Sequence, residues 1–419
     1  MKKLLLTFLL CMALPAVAEQ TYFDVDGVKY WYFDGESAYI GGYMTWTGTE
    51  MITVPKEGNV CIVAANPDYA GTDLVIPETV PYNGTQIRVM GIADFAFQNN
   101  TSITSVSFPA TFPQNNAHFT YRKDDGTSEN PYLFGNGAFA GCTNLSKVTF
   151  SEGMKKFYAA GARTPVFQGC PIAEAVIPES LTEFDGFLKE SAVRTIDIPA
   201  WVTQISFQDC AQLTETPALP GLTEVPQYCF SNCDALVNAV TPENATTIGR
   251  GAFNHCDNLE TLVISNKTEL IGMNAAENCY KLKTLTIGSG VKQMGVACFN
   301  GDKALEKIEF KCSTPPALYN YGAPTVTEAT AQFFPEEIYK TAEVIVPKGS
   351  LEAYKKKAWF KFENARERTA TGIDEIAVES KDAPAEYFDL RGIRVAADAL
   401  TPGMYIKRQG STATKIHIR

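Results

Sequence analysis

Through the middle of the chain, apolar positions recur in one unit, Phe-x-x-Cys-x-x-Leu-x-x-(Val/Leu)-x-(Ile/Phe), often closed by Pro. The unit is clearest at Phe253, Cys256, Leu259, Leu262 and Ile264, and again at Phe299, Leu305, Ile308 and Phe310. The anchors Phe207, Phe230, Phe253, Ala276 and Phe299 follow at 23-residue spacing, and Phe167, Phe187 and Phe207 at 20. Earlier copies are Phe97, Ile103, Val106, Phe108, Pro109 and Phe139, Cys142, Leu145, Val148, Phe150, so nine copies make coincidence untenable. Each unit predicts a short strand with alternate residues facing inward, as in Leu282-Lys-Thr-Leu-Thr-Ile287. Ahead of each strand, a stretch such as Ile248-Gly-Arg-Gly-Ala-Phe253 supplies glycines for a tight turn and an aromatic that plugs the interior. One unit cannot bury its apolar face alone, whereas stacked units form a continuous core with a parallel sheet along one side.

A period of 20–29 residues with an L-x-x-L-x-L core is that of leucine-rich repeats. The expected fold is therefore mainly β: a leucine-rich repeat solenoid with a turn or short-helix convex side, between small β units at either end. The cysteines follow the same frame. Cys142, Cys170, Cys210, Cys233, Cys256 and Cys279 share one position of the unit, which Asn100, Glu190 and Asp302 take in other copies. Cys229 and Cys298 take a second position, where other copies carry Ala96, Ala138, Ala252 and Ala275. A slot that accepts Ala or Cys is small and apolar, so these thiols read as small hydrophobes rather than as a disulfide framework. Cys229-Phe-Ser-Asn-Cys233 lacks the His or second cysteine pair that a zinc site needs.

Met1 to Ala18 has the form of a signal peptide: Lys2 and Lys3, an apolar run from Leu4 to Leu14, then Ala16-Val-Ala18. That predicts export and a mature chain from Glu19. No later segment reaches the 18 apolar residues of a membrane helix, so no integral span is expected after signal removal. The 419 residues carry 36 Lys+Arg against 47 Asp+Glu, a net charge of −11 that argues against a nucleic-acid partner. With only three histidines, His118, His255 and His417, general-base and zinc chemistry lack their commonest residue. No phosphate loop, dinucleotide glycine motif or zincin helix occurs, and no cofactor, metal or catalytic residue is expected.

The stretch Ile248-Gly-x-x-Ala252-Phe253-x-x-Cys256-x-x-Leu259 resembles the consensus of the BspA-like leucine-rich repeat proteins. The flanks are similar too: Phe23-Asp-Val-Asp-Gly27 through Tyr30 in the lead-in, with Val75-Ile-Pro77 and Tyr82-Asn-Gly84. Val344-Ile-Val-Pro347-Lys-Gly-Ser350, Tyr354 and Trp359-Phe-Lys-Phe362 look like the family's closing segment. Tyr387 to Val395 followed by Pro402-Gly-Met-Tyr405-Ile406 resembles short C-terminal modules of exported proteins, some of which act as sorting signals. On this resemblance the parts are a signal peptide 1–18, an N-terminal β cap 19–88, the solenoid 89–312, a C-terminal cap 313–370 and a β module 371–419. The resemblance implies adhesion or partner binding at the cell surface or after secretion, with an extracellular or host protein as partner, and no catalysis.

Two departures from the repeat supply candidate binding residues. Between Phe97 and Phe139 the spacing widens to 42, and the extra length, Thr111 to Asn136, holds His118, Phe119, Tyr121 and Arg122. Insertions in repeat proteins emerge as loops on one side, often the binding side. The N-terminal unit crowds nine aromatics between Tyr22 and Trp46, of which Tyr39, Tyr43 and Trp46 are candidates for sugar stacking or protein docking. The outward strand rows are mostly Ser and Thr, lacking the Trp, Tyr and Arg of binding hot spots. A glycan-binding or glycan-degrading protein is the alternative reading, with Asp124 or Asp125 as one of the paired carboxylates that glycosidases require.

Overall fold

The computed structural model describes residues 21–33, 38–41, 60–112, 118–122, 128–129, 135–158, 164–320, 326–369, 386–388, 394–395, 403–409 and 412–418. Within that set the chain is a succession of short strands and turns. Its helices are two short ones, Ile338–Thr341 and Leu351–Lys355.

The repeat builds two rows of parallel strands, each interrupted once into separate sheets. One follows the strands written by the L-x-x-L-x-L pattern. Ser105–Phe108 pairs with Lys147–Phe150 and then Glu174–Val176, in register Ser105, Lys147, Glu174. Further along, Asn238–Val240, Thr261–Val263, Thr284–Ile287 and Lys307–Phe310 run side by side, advancing 23 residues per strand. The same sheet continues through Glu343–Val346 and Ala365–Glu367. At the other end, Asp73–Val75 pairs with Ser105–Phe108. The second parallel sheet lies on the far side of each coil and includes Glu224–Val225, Thr247–Ile248, Leu270–Ile271, Gln293–Gly295 and Ala317–Tyr319. Period-two burial is visible in Thr284–Ile287, where Leu285 and Ile287 are buried and the threonines are half-buried.

The anchors stack down the coil interior. Phe97, Phe139 and Phe167 lie parallel at centroid spacings of 5.3 and 5.4 Å, and Phe207, Phe230 and Phe253 at 5.4 and 5.1 Å. One assignment from the spacing is corrected. Leu188, not Phe187, fills the anchor slot of its coil, because the Cys210 thiol reaches the Leu188 carbonyl as the other thiols reach anchor phenylalanines. Phe187 instead packs edge-on against Phe150, Phe157 and Phe167. The cysteine position of that coil therefore falls on buried Ser191 rather than Glu190.

Close coil stacking is what the column Gly249, Gly272 and Gly295 serves. A side chain at Gly272 would meet the Ile248 carbonyl oxygen at 2.7 Å, and one at Gly295 the Met273 nitrogen at 2.4 Å. Only glycine lets successive coils approach this far.

The N-terminal residues form a mixed sheet: Thr21–Val25, Val28–Phe33 and Val60–Val63 pair antiparallel in turn, Val60–Val63 pairs parallel with Thr85–Ile92, and Thr79–Tyr82 closes it antiparallel to Thr85–Ile92. Val28, Tyr30, Val63, Val80 and Val89 join the buried core of the repeats. The last coil is closed by an aromatic plug of Phe310, Phe333, Phe334, Tyr354, Trp359 and Phe362. There the Trp359 indole N–H donates to the Pro316 carbonyl, and the Tyr354 hydroxyl to that of Cys312. At the C-terminus, Gly403–Gln409 and Thr412–Ile418 form a hairpin joined by Glu386–Phe388 and Arg394–Val395.

Candidate binding surface

The cysteine column is part of the scaffold rather than a reactive site. Cys61, Cys142, Cys170, Cys210, Cys229, Cys233, Cys256, Cys279, Cys298 and Cys312 are free and buried. In the ladder each thiol donates to the anchor carbonyl of the coil before. Cys142 reaches Phe97 at 3.1 Å, Cys170 reaches Phe139 at 3.0 Å, Cys233 reaches Phe207 at 3.2 Å, Cys256 reaches Phe230 at 3.0 Å and Cys279 reaches Phe253 at 3.1 Å. The slot thus selects a residue that is apolar in bulk yet carries one donor. Burial pushes the Cys61, Cys210 and Cys229 thiols up to about 12, the opposite of what a nucleophilic cysteine needs.

On the outward face of the main sheet several charges are paired across the strands. The Lys147 ammonium meets Glu174 at 2.7 Å, Lys283 meets Glu260 at 3.1 Å, and Arg366 meets Glu343 at 2.7 Å. Ser105 donates to Asp73 at 2.6 Å, and Arg368 pairs with Glu309. In all but the last pair the partners sit on neighbouring strands, so stacking the repeat also matches its charges; Arg368 reaches past the Glu343–Val346 strand to Glu309. Exposed apolar side chains on this face are isolated valines, Val75, Val176 and Val240. Among the described residues no group of three or more His, Cys, Asp or Glu is placed to hold a metal ion. No helix among them is long and apolar enough to cross a membrane.

The two segments singled out from the sequence meet. Strand Ala38–Gly41 from the N-terminal unit pairs antiparallel with His118–Arg122 from the insertion. The register sets Tyr39 opposite Thr120, Ile40 opposite Phe119, Gly41 opposite His118 and Ala38 opposite Tyr121. Ser128–Glu129 adds a third strand against Tyr121 and Arg122. Positions 39, 118, 119, 121 and 122 therefore share one small sheet, although 79 residues separate Tyr39 from His118 in the chain. Tyr43, Trp46, Asp124 and Asp125 lie outside the described residues. Pairing between two such distant segments has no local signature, since neither strand belongs to the repeat.

A coil of a strand, a tight turn and a second short strand, stacked in parallel with an L-x-x-L-x-L core, defines a leucine-rich repeat solenoid. Residues 126–214 and 202–315 match, in six copies, the model of the BspA type leucine-rich repeat region. That region is of the BspA leucine-rich repeat type.

Several solved structures are similar to it. A leucine-rich repeat protein from Bacteroides ovatus is 16% identical, covers 83% of this chain and 100% of its own, and superposes with a TM-score of 0.33. A leucine-rich cell surface protein from Faecalibacterium prausnitzii is 15% identical, covers 85% and 97%, and gives 0.26. The pneumococcal vaccine antigen PcpA is 15% identical, covers 84% and 99%, and gives 0.35. No curated protein matches the chain.

Proposed function

We propose that this protein is an exported, non-enzymatic scaffold that binds an extracellular or host protein, and that the sheet joining Ala38–Gly41 to His118–Arg122 is where the partner docks. The observation that carries this reading is the register itself. Two segments picked independently for their aromatic and mixed polar content lie hydrogen-bonded side by side, outside a repeat face on which several charges are already paired. Interfaces draw their energy from Tyr, Trp and Arg anchors, and the register puts positions 39 and 122, a Tyr and an Arg, on one face of this small sheet, where the repeat rows offer Ser and Thr. In this reading residues 1–18 direct export, and the module 371–419 serves surface delivery.

The experiment is binding of residues 19–419 to a panel of host matrix proteins and polysaccharides, with a form lacking 111–136 and the double variant Y39A/R122A alongside. A protein ligand that binds the intact chain and is lost by both altered forms is the expected result. Protein binding that both forms retain places the site elsewhere and overturns the assignment. A ligand found only among the polysaccharides overturns the protein partner.

A further inference from the structure

Several longitudinal rows of the solenoid change character in the same two coils. The phenylalanine stack runs Phe97, Phe139, Phe167 and resumes at Phe207, Phe230, Phe253, with Leu188 between. The thiol ladder breaks there too, at Ser191, whose hydroxyl meets the Cys210 sulfur at 3.7 Å. The main sheet ends as a four-stranded sheet at Glu174–Val176 and restarts as a six-stranded one at Asn238–Val240. Residues 195–198 and 214–218 between them form no strand, and a single bridge, Glu215 to Asn238, spans the gap. The second sheet breaks likewise, leaving only the bridge Glu183 to Gln204 before Glu224–Val225.

Local chemistry accounts for the break. The coils from Phe167 to Leu188 and from Leu188 to Phe207 are 21 and 19 residues long, against 23 in the regular run that follows. Pro217, set opposite Val240 by the Glu215 bridge, has no N–H for a ladder bond. The Thr216 hydroxyl substitutes, accepting from the Val240 N–H at 3.2 Å.

The turn side is intact across the same coils. Gly169 N–H donates to the Glu190 carbonyl at 2.9 Å and Glu190 N–H to Gln208 at 2.9 Å. Phe207 N–H then donates to Cys229 at 2.7 Å and Asp209 N–H to Ser231 at 2.8 Å. One edge is bonded throughout, while the opposite face keeps isolated bonds in place of strand ladders, Thr214 N–H to the Arg194 carbonyl at 3.1 Å among them; this is the arrangement of a hinge, since the bonded edge sets an axis and the thinly bonded face can open.

We propose that residues 188–222 are a joint about which two stiff blocks, the coils before it and the coils after it, bend so as to change the curvature of the main sheet. The blocks resist bending because each carries a multi-stranded parallel sheet, four strands before the joint and six after it, whereas the main-sheet side of the joint is held by the Thr214 N–H to Arg194 carbonyl bond at 3.1 Å and the isolated Glu215 to Asn238 bridge. The joint follows from the coil geometry alone and stands whether or not the proposed docking sheet is correct.

Spin labels on engineered surface cysteines test it in the chain 19–419. Glu174 and Lys307, both exposed, lie on opposite sides of the joint, and Asn238 and Arg366, also exposed, lie within one block. Electron–electron double resonance should give a distance distribution about twofold wider across the joint than within the block, as hinge motion adds to label motion. The triple change Leu188→Phe, Ser191→Cys and Pro217→Val, which restores the three rows, should narrow the cross-joint distribution to the width of the control. Equal widths in the parent chain overturn the proposal. So does a folded triple variant whose distribution stays as wide as the parent's. If that variant does not fold, the parent comparison alone decides.

Discussion

Asp302 occupies the cysteine slot of the last regular coil and is fully buried. Its Oδ1 accepts the Cys279 backbone N–H at 2.7 Å, while Oδ2 has no partner. Desolvation drives its carboxyl well above the ordinary carboxylate range; the Cys279 N–H opposes this, and nearby Glu277 and Cys256 add to the rise. The folded state therefore holds Asp302 neutral where the unfolded chain releases its proton near pH ~3.9. The sign follows: with the folded value raised, the stability is complete below the unfolded value and is lost as pH rises toward the folded one. Within that window the loss is about 1.4 kcal/mol per pH unit, the cost of one proton held only by the folded state.

Asn in its place keeps an acceptor for the Cys279 N–H and has no proton to lose. Urea unfolding of the parent and Asp302→Asn between pH 4 and 7 isolates the effect, because all other titrating groups cancel in the difference. The two should be closest at pH 4, with the variant gaining steadily as pH rises. Asp302→Cys, which restores the ladder residue, should remove the same pH dependence. Parallel curves for parent and Asp302→Asn from pH 4 to 6 would refute the argument that this carboxyl is folded in its neutral form.

Two further outcomes are expected. Phe230→Ala deletes a fully buried ring stacked on both Phe207 and Phe253; it should cost about 3–5 kcal/mol by denaturant titration, and a loss below ~1 kcal/mol would mean the stack collapses around the gap. The buried thiols should not react with a disulfide reagent at pH 8 in the native protein but should react on unfolding. Because the Cys61, Cys210 and Cys229 thiols sit near 12 when folded, each also adds stability that is complete below ~8.5 and falls between there and the folded value. Rapid native labelling of these three would contradict their burial.

The repeat unit was legible in the sequence because a solenoid coil contacts only its neighbours. A local pattern of apolar residues, repeated at 23, is then sufficient to specify the strand, its inward face and the position of each cysteine. The same locality let the 23-residue offset put Asp302 in the ladder before any contact was known. Where the offset changes, a count along the chain cannot tell Phe187 from Leu188, since both are apolar and both are buried; only the Cys210 thiol bond to the Leu188 carbonyl distinguishes them. Tertiary structure alone joined Tyr39 to the strand of His118, because strand pairing at that separation depends on how the N-terminal unit lies against the coils. It also converted the cysteines from small fillers into hydrogen-bond donors. Apolar size is written in residue type, whereas the carbonyl each thiol reaches belongs to a different coil and exists only once the coils are stacked.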